Sequence, residues 1–395
     1  MFGCCARRRS VNLTNVDAMN RVTEIRRSSM KRYLAVIGIS MMFLFSKAQA
    51  QNGAPLKLIQ TIPLPGVEGY FDHLAVDVKG ERLFIPGEHQ RTLEVVDLRA
   101  GKVIHTISGF DGNPRKTIYL PQSNQIWVDM GNGTCKAFSS ETYQMLKDIQ
   151  LNPDSPPEAK REPDNGIYDP SSQMFYIGDR GDRSKAGTKG SIEIVDTKNG
   201  TYAGSITVDD SDPAGLALDG NGKLYVVLGM TSQVAVIDLK KREVVASWPI
   251  TEGPLPHALG MDTVHRRLFI GSRVKPGHIY KPGKMVVMDA DTGKVIDAID
   301  TEGGADEVVY DAPSKRVYFT GTTGGVDVFK QVDPDHYERL GLVPSGALAK
   351  TSILVPELKR FYVVVPKHII LTPPIPQSKE AAIEDAKVLV YEVMP

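Results

Sequence analysis

Leu216-Ala217-Leu218-Asp219-Gly220-Asn221-Gly222-Lys223-Leu224-Tyr225-Val226, followed after a turn by Val234-Ala235-Val236-Ile237-Asp238, contains the frame of the whole chain. An apolar run ending in Asp, a Gly-rich polar turn, an apolar-aromatic-apolar triplet and an alternating run closing on an acid are strand and hairpin signals, without a helical period. The triplet recurs as Leu83-Phe84-Ile85, Ile126-Trp127-Val128, Phe175-Tyr176-Ile177, Leu268-Phe269-Ile270, Val317-Tyr318-Phe319 and Phe361-Tyr362-Val363, its aromatics 43 to 49 residues apart. A period of that length marks stacked supersecondary units. The acid-closed run returns as Leu93-Glu94-Val95-Val96-Asp97, Ile192-Glu193-Ile194-Val195-Asp196 and Met285-Val286-Val287-Met288-Asp289, and a fourth strand follows, most plainly in Asp291-Thr292-Gly293-Lys294-Val295-Ile296. Four strands in each of seven units predict an all-β fold, a seven-bladed β-propeller of four-stranded blades.

The seventh unit shows three strands, the last being Ala386-Lys387-Val388-Leu389-Val390-Tyr391-Glu392. Leu56-Lys57-Leu58-Ile59-Gln60-Thr61-Ile62 has the pattern of the fourth strand Val103-Ile104-His105-Thr106-Ile107. Strand 56–62 is therefore expected to complete the last blade and remove an edge that a sheet cannot safely leave open.

Lys and Arg total 47, as do Asp and Glu, but the balance is uneven. Residues 1–50 hold nine basic and two acidic side chains, so 51–395 carry 38 against 45, a net −7. Met30-Lys31-Arg32, the uncharged run from Tyr33 to Phe45 and Ala48-Gln49-Ala50 read as a secretory signal peptide over 30–50, cut before Gln51. The run is shorter than the roughly 20 residues of a bilayer span. Residues 1–29 fit no part of such a leader and are read as an upstream extension or as disorder, which leaves 51–395 as one propeller domain. The expected location is periplasmic or extracellular. Three cysteines make no disulfide framework, and only Cys135 lies past the leader, in a strand where it reads as inert packing. Haem attachment is excluded by the lack of Cys-x-x-Cys-His, and nucleotide binding by the lack of a phosphate loop opening a helix.

Lys223-Leu224-Tyr225-Val226, Val234-Ala235-Val236-Ile237-Asp238 and Asp289-Ala290-Asp291-Thr292-Gly293-Lys294-Val295-Ile296 resemble the YncE-like family of extracytoplasmic propellers, whose units are called YVTN repeats. The resemblance covers essentially all of 56–395. The Thr-Asn that names the repeat is replaced by pairs such as Pro86-Gly87, Gly178-Asp179, Leu228-Gly229 and Gly271-Ser272. The resemblance implies an exported propeller and transfers no particular activity.

In a propeller, loops into the innermost strands and loops from second to third strands share one face. Three of the latter are long: Gly178 to Gly190 with Arg180, Asp182, Arg183 and Lys185; Gly271 to Lys284 with Arg273, Lys275, His278, Tyr280 and Lys281; and Pro366 to Asp385. Long loops usually carry function; within the third, Pro373-Pro374-Ile375-Pro376 reads as a stiff tip. Aligned on the aromatics, the innermost strands bring Asp72 and His73, Arg115 and Lys116, Asp164 and Asn165, His257, Asp306 and Glu307, and Lys350 to the channel mouth. His73, His89, His257, His278 and His368 map to this face.

Three chemistries follow. The basic groups Arg115, Lys116, Arg180, Arg183, Arg273, Lys275, Lys281 and Lys350 would make one face positive, suited to a small anionic ligand, a glycan or a protein partner; this binding reading is favoured. Asp72, His73, Asp164, His257 and Glu307 could instead hold a divalent metal, which resembles the inner-strand acids of six-bladed lactonases of the gluconolactonase type and implies a metal-dependent hydrolase or lactonase. His257 or His73 could act as general acid/base on a substrate gripped by Arg115 and Lys116, as in a lyase or hydrolase. Nucleic acid is disfavoured because no aromatics interleave these bases. A monomer is expected.

Overall fold

The triplets lie in the second strands of seven antiparallel sheets in a computed structural model that describes residues 53–155, 161–185, 187–253, 255–273, 283–370 and 382–395. The leader, the Pro373–Pro376 tip and the stretch holding Lys275, His278, Tyr280 and Lys281 lie outside the described residues. Six sheets are built from consecutive strands; the first runs Ala75–Asp77, Arg82–Gly87, Thr92–Asp97 and Lys102–Ile107. The seventh takes Ser352–Val355, Arg360–Val365 and Lys387–Val393 from the C-terminal end and Leu56–Pro63 from the N-terminal end as its outermost strand. The chain is a seven-bladed β-propeller closed by its expected strand. No helix among the described residues is long and apolar enough to cross a membrane.

The closing strand is a true fourth strand by its register. In every blade the outermost strand skips one residue against the third: Ile104, Leu146, Ala203, Val245, Ile296 and Leu340 in blades one to six, and Ile59 in the seventh. A bulge at the same place in each outer strand twists that edge, one of the devices by which sheets discourage edge-to-edge pairing. Leu56 and Ile62 turn inward, 2% and 0% exposed, onto the apolar layers between neighbouring blades.

All seven repeat aromatics are buried, which makes them core. The closing acids of the third strands have a local task. Asp97, Asp196, Asp238 and Asp289 each accept a backbone N–H three residues on, at 2.7 to 2.9 Å, and so hold the hairpin to the fourth strand. The turn then needs a positive φ one residue later, met by Gly101 at 64°, Gly200 at 67°, Arg242 at 58° and Gly293 at 72°. Cys135 is free and fully buried, and burial drives its thiol pKa far up, so it is inert. The 366–385 segment, read as a plain loop, includes a two-stranded ribbon, His368–Ile370 paired with Ala382–Glu384.

Candidate functional site

Four of the seven innermost strands have a proline as their first or second residue, followed by a bulge: Pro114-Arg115, Pro163-Asp164, Pro213-Ala214 and Pro256-His257. Proline has no N–H for the ladder, and the extra residue behind it is freed from cross-strand pairing and re-aimed. With Asp72, Asp306 and Lys350 from the remaining blades, these positions form a ring of seven: Asp72, Arg115, Asp164, Ala214, His257, Asp306 and Lys350. Six of them are the innermost-strand positions expected from the sequence. Ala214 was missed because the inner hairpin of blade four is one residue shorter, shown by Ala217 pairing with Tyr225 eight positions on where Ile118 pairs with Trp127 nine on.

Two further layers complete a cleft of about 500 Å³ on this face. Residues two before the ring contribute Tyr70, Glu162 and Gly304, and residues four after the aromatics contribute Glu88, Arg180, Arg273 and Thr322. His89 and Arg183 complete the wall with Arg115, Asp164, Asp306 and Lys350. Tyr70, Glu88 and Glu162 escaped the sequence reading, although the offset of four that carries Arg180 and Arg273 also reaches Glu88.

Five of the eight expected basic groups, Arg115, Arg180, Arg183, Arg273 and Lys350, line the cleft, but the expectation of a positive face is corrected. Arg115, buried, meets Glu88 Oε1 at 2.8 Å, Glu162 Oε1 at 3.1 Å, Asp72 Oδ2 at 3.2 Å and Asp164 Oδ1 at 3.4 Å. Arg180 bonds Asp212 Oδ1 through Nε at 2.6 Å and holds Asp164 through Nη2. Arg183, about 38% exposed, reaches Glu162 and Asp212 only at 3.5 and 3.8 Å. Asp306 is held by Arg273 and by Lys350, the latter at 2.6 Å. Burial would raise the Asp164 carboxyl, yet the Arg180 and Arg115 guanidiniums hold it well below the usual carboxylate range. Carboxylate follows cation around the mouth, so what the loop face presents is an ionic belt.

Some candidates lie beneath the cleft. His73 Nδ1 is 2.7 Å from Glu307 Oε2 and its Nε2 3.3 Å from Asp72 Oδ1, a contact from blade one to blade six that stitches the channel. His73 thus sits between two carboxylates, bonded to Glu307 through Nδ1 and facing Asp72 with Nε2. The backbone N–H of Lys116 donates to Asp129 at 2.8 Å, and Asn165 Oδ1 accepts from Gly166 N at 2.8 Å; neither side chain lines the cleft. His257 is different. It is 2% exposed, and its Nε2 lies 3.3 Å from Asp306 Oδ1 without a hydrogen bond. Burial, with Arg273 and Arg180 nearby, drives its pKa well below normal, so the imidazole is neutral at neutral pH. His89 is on the rim, its Nδ1 accepting from Tyr70 N at 3.1 Å.

The five metal candidates do not fit a metal. Asp72 and Asp164 are drawn to Arg115, Glu307 is bound to His73, and His257 faces Asp306. Among the described residues no three His, Cys, Asp or Glu side chains converge as ligands would. His278 is outside the described residues, and of His368 only the backbone is described, as a ribbon strand.

No family model matches the chain, and no curated protein matches it. Solved structures do. A chain of the mitotic checkpoint complex superposes with a TM-score of 0.64 at 13% identity, over 88% of this chain and 94% of that one. A chain of Kuenenia stuttgartiensis hydrazine synthase gives 0.61 at 16% identity, over 76% and 95%. At such identities the likeness is one of fold: these are propellers of the same architecture, a scaffold that commonly binds ligands or other proteins.

Proposed function

We propose that the protein is an exported binding propeller, of the extracytoplasmic YncE-like kind its repeats resemble, whose central cleft holds a small ligand through an anionic group. One observation carries this reading: basic side chains from four blades, Arg115, Arg180, Arg273 and Lys350, meet around one concavity, and among the described residues Arg273 and Lys350 keep unused N–H donors. Arg273 engages Asp306 through Nη2 alone, and Lys350 has one carboxylate contact among the described residues. A guanidinium has five donors and an ammonium three, so both can take a second oxyanion without releasing the first. A cleft near 500 Å³ is the size of a small-molecule site. A docked protein would normally cover about 800 Å² of each partner.

The hydrolase, lactonase or lyase reading has less support. It needs a metal set that these side chains do not form, or a base, and His257 as a depressed neutral imidazole is a weak one. Calorimetric titration of the full chain with acetate, succinate, hexanoate, sulfate and inorganic phosphate at low ionic strength tests the proposal. At least one anion should bind with one-to-one stoichiometry, and Lys350→Gln and Arg273→Gln should each weaken it about tenfold, the effect of losing one charge-assisted bond. Both variants leave every carboxylate another cation, so their melting curves should stay close to the parent's. Absence of binding by the whole panel, or binding indifferent to both substitutions, would overturn the reading.

A further inference from the structure

The ionic belt is not continuous, and its breaks give the cleft a polarity. One segment runs through blades one to four as Glu88 and Asp72, Arg115, Asp164 and Glu162, Arg180, Asp212. The other runs through blades five to seven as Arg273, Asp306, Lys350. Among the described residues no ion pair joins Lys350 to Asp72 or Glu88, and none joins Asp212 to Arg273. With Arg183 counted in, the first segment has three cations against five carboxylates, and the second two against one. Asp72 and Asp212 stand behind the wall, so the side chains that line the first arc balance and its two extra negative charges lie beneath them, while the facing arc is cationic by one.

The chemistry of each arc matches its sign. On the cationic arc Arg273 and Lys350 keep N–H donors without a partner among the described residues. On the anionic arc Glu88 bonds Arg115 through Oε1, and its other oxygen has no partner among the described residues. Beside it Tyr70, 40% exposed, lines the same wall with His89, their ring centroids 5.3 Å apart. A carboxylate next to an exposed aromatic ring is the pairing that recognises an ammonium, by charge and by cation–π attraction. From this geometry we infer that the cleft takes a zwitterion, an amino acid or short peptide whose carboxylate lies against Arg273 and Lys350 and whose ammonium lies against Glu88 and Tyr70. This deepens the proposed function and rests on it, since the carboxylate end uses the same cations.

The test is a calorimetric series on the full chain with glycine, 4-aminobutanoate, 6-aminohexanoate and triglycine, against hexanoate and hexylamine as single-charge analogues. At least one zwitterion should bind tenfold or more tightly than hexanoate, and hexylamine more weakly than either. Glu88→Gln should bring that zwitterion down to the affinity of hexanoate, while hexanoate, relieved of a nearby negative charge, should bind the variant no more weakly than the parent. Tyr70→Ala, at an exposed position, should reduce the zwitterion preference several-fold and serves as the second variant should Glu88→Gln fold poorly. Lys350→Gln should weaken both classes. Hexanoate binding as well as every zwitterion, with Glu88→Gln and Tyr70→Ala silent, would overturn the inference and leave the anion-binding reading standing. Failure of hexanoate and all zwitterions together with the simple anions would overturn both.

Discussion

Replacing Arg115 by Met removes one cation from the middle of four carboxylates while keeping most of the side-chain volume. Its guanidinium is 9% exposed, and Asp72 and Asp164 beside it are 2% and 6% exposed, so little water is available to take its place. Breaking a buried pair by removing one partner costs about 3 to 5 kcal/mol, because an uncompensated charge stays behind. Asp164 keeps Arg180 and Asp72 keeps His73, but Glu88 has no other cation within ion-pair distance among the described residues, which places the cost at about 5 kcal/mol. At roughly 2 °C per kcal/mol for a large domain, the melting temperature at pH 7.5 should fall by on the order of 10 °C.

The pH dependence gives the deeper check. In the parent, the Asp164 carboxyl is held below its unfolded value, so its contribution is present above the ordinary carboxylate pKa and lost as pH falls through the folded one. In Arg115→Met the neighbouring carboxylates lose their shared cation and burial raises them, so they destabilise the folded state once ionised. The gap between variant and parent should be widest above pH 7 and narrow towards pH 4.5. Thermal melts followed by circular dichroism at half-unit pH steps read this directly. A variant within about 2 °C of the parent at pH 7.5, or a gap that widens on acidification, would refute the belt as described.

Two further outcomes are expected. Deleting residues 1–63 removes the closing strand with the side chains of Leu56 and Ile62 and should leave no cooperative transition, while Ile62→Ala alone should cost about 3 kcal/mol; a truncated chain with parental melting would contradict ring closure. Asp179 is fully buried, and burial with Glu193 nearby pushes its carboxyl up to about 7, so the parent loses stability as pH rises from about 4 to 7; Asp179→Asn should melt higher than the parent at pH 8 and equally at pH 4, and an equal difference at both would exclude this.

What was legible in the sequence follows from repetition. Seven aromatic triplets fix the second strands because each must be buried between blades, and once they are aligned the innermost-strand residues fall at a constant offset. That offset found Asp72, Arg115, Asp164, His257, Asp306 and Lys350. It failed at Ala214, where one inner hairpin is a residue short, a change of register that no residue type announces. It also credited Lys116 and Asn165 to the mouth, although the Lys116 N–H is tied to Asp129, the Asn165 amide oxygen to Gly166 N, and neither side chain lines the cleft. Charge was misread for a physical reason. A composition shows which cations share a face, whereas their pairing with Glu88, Glu162 and Asp212 depends on side chains arriving from neighbouring blades at about 3 Å. The repeated Asp at the ends of third strands, read as part of a strand and hairpin signal, does close its hairpin through a backbone N–H.

Native mass spectrometry of the untagged full chain, mixed with the anion and zwitterion panel, bears most directly on the claim that the central cleft holds a small ligand through an anionic group. The parent should carry one small-molecule adduct per chain, and the Lys350→Gln variant, folded by its melting curve, should lose most of it. A parent at the bare mass under every condition, or an adduct that the variant retains in full, would contradict the account.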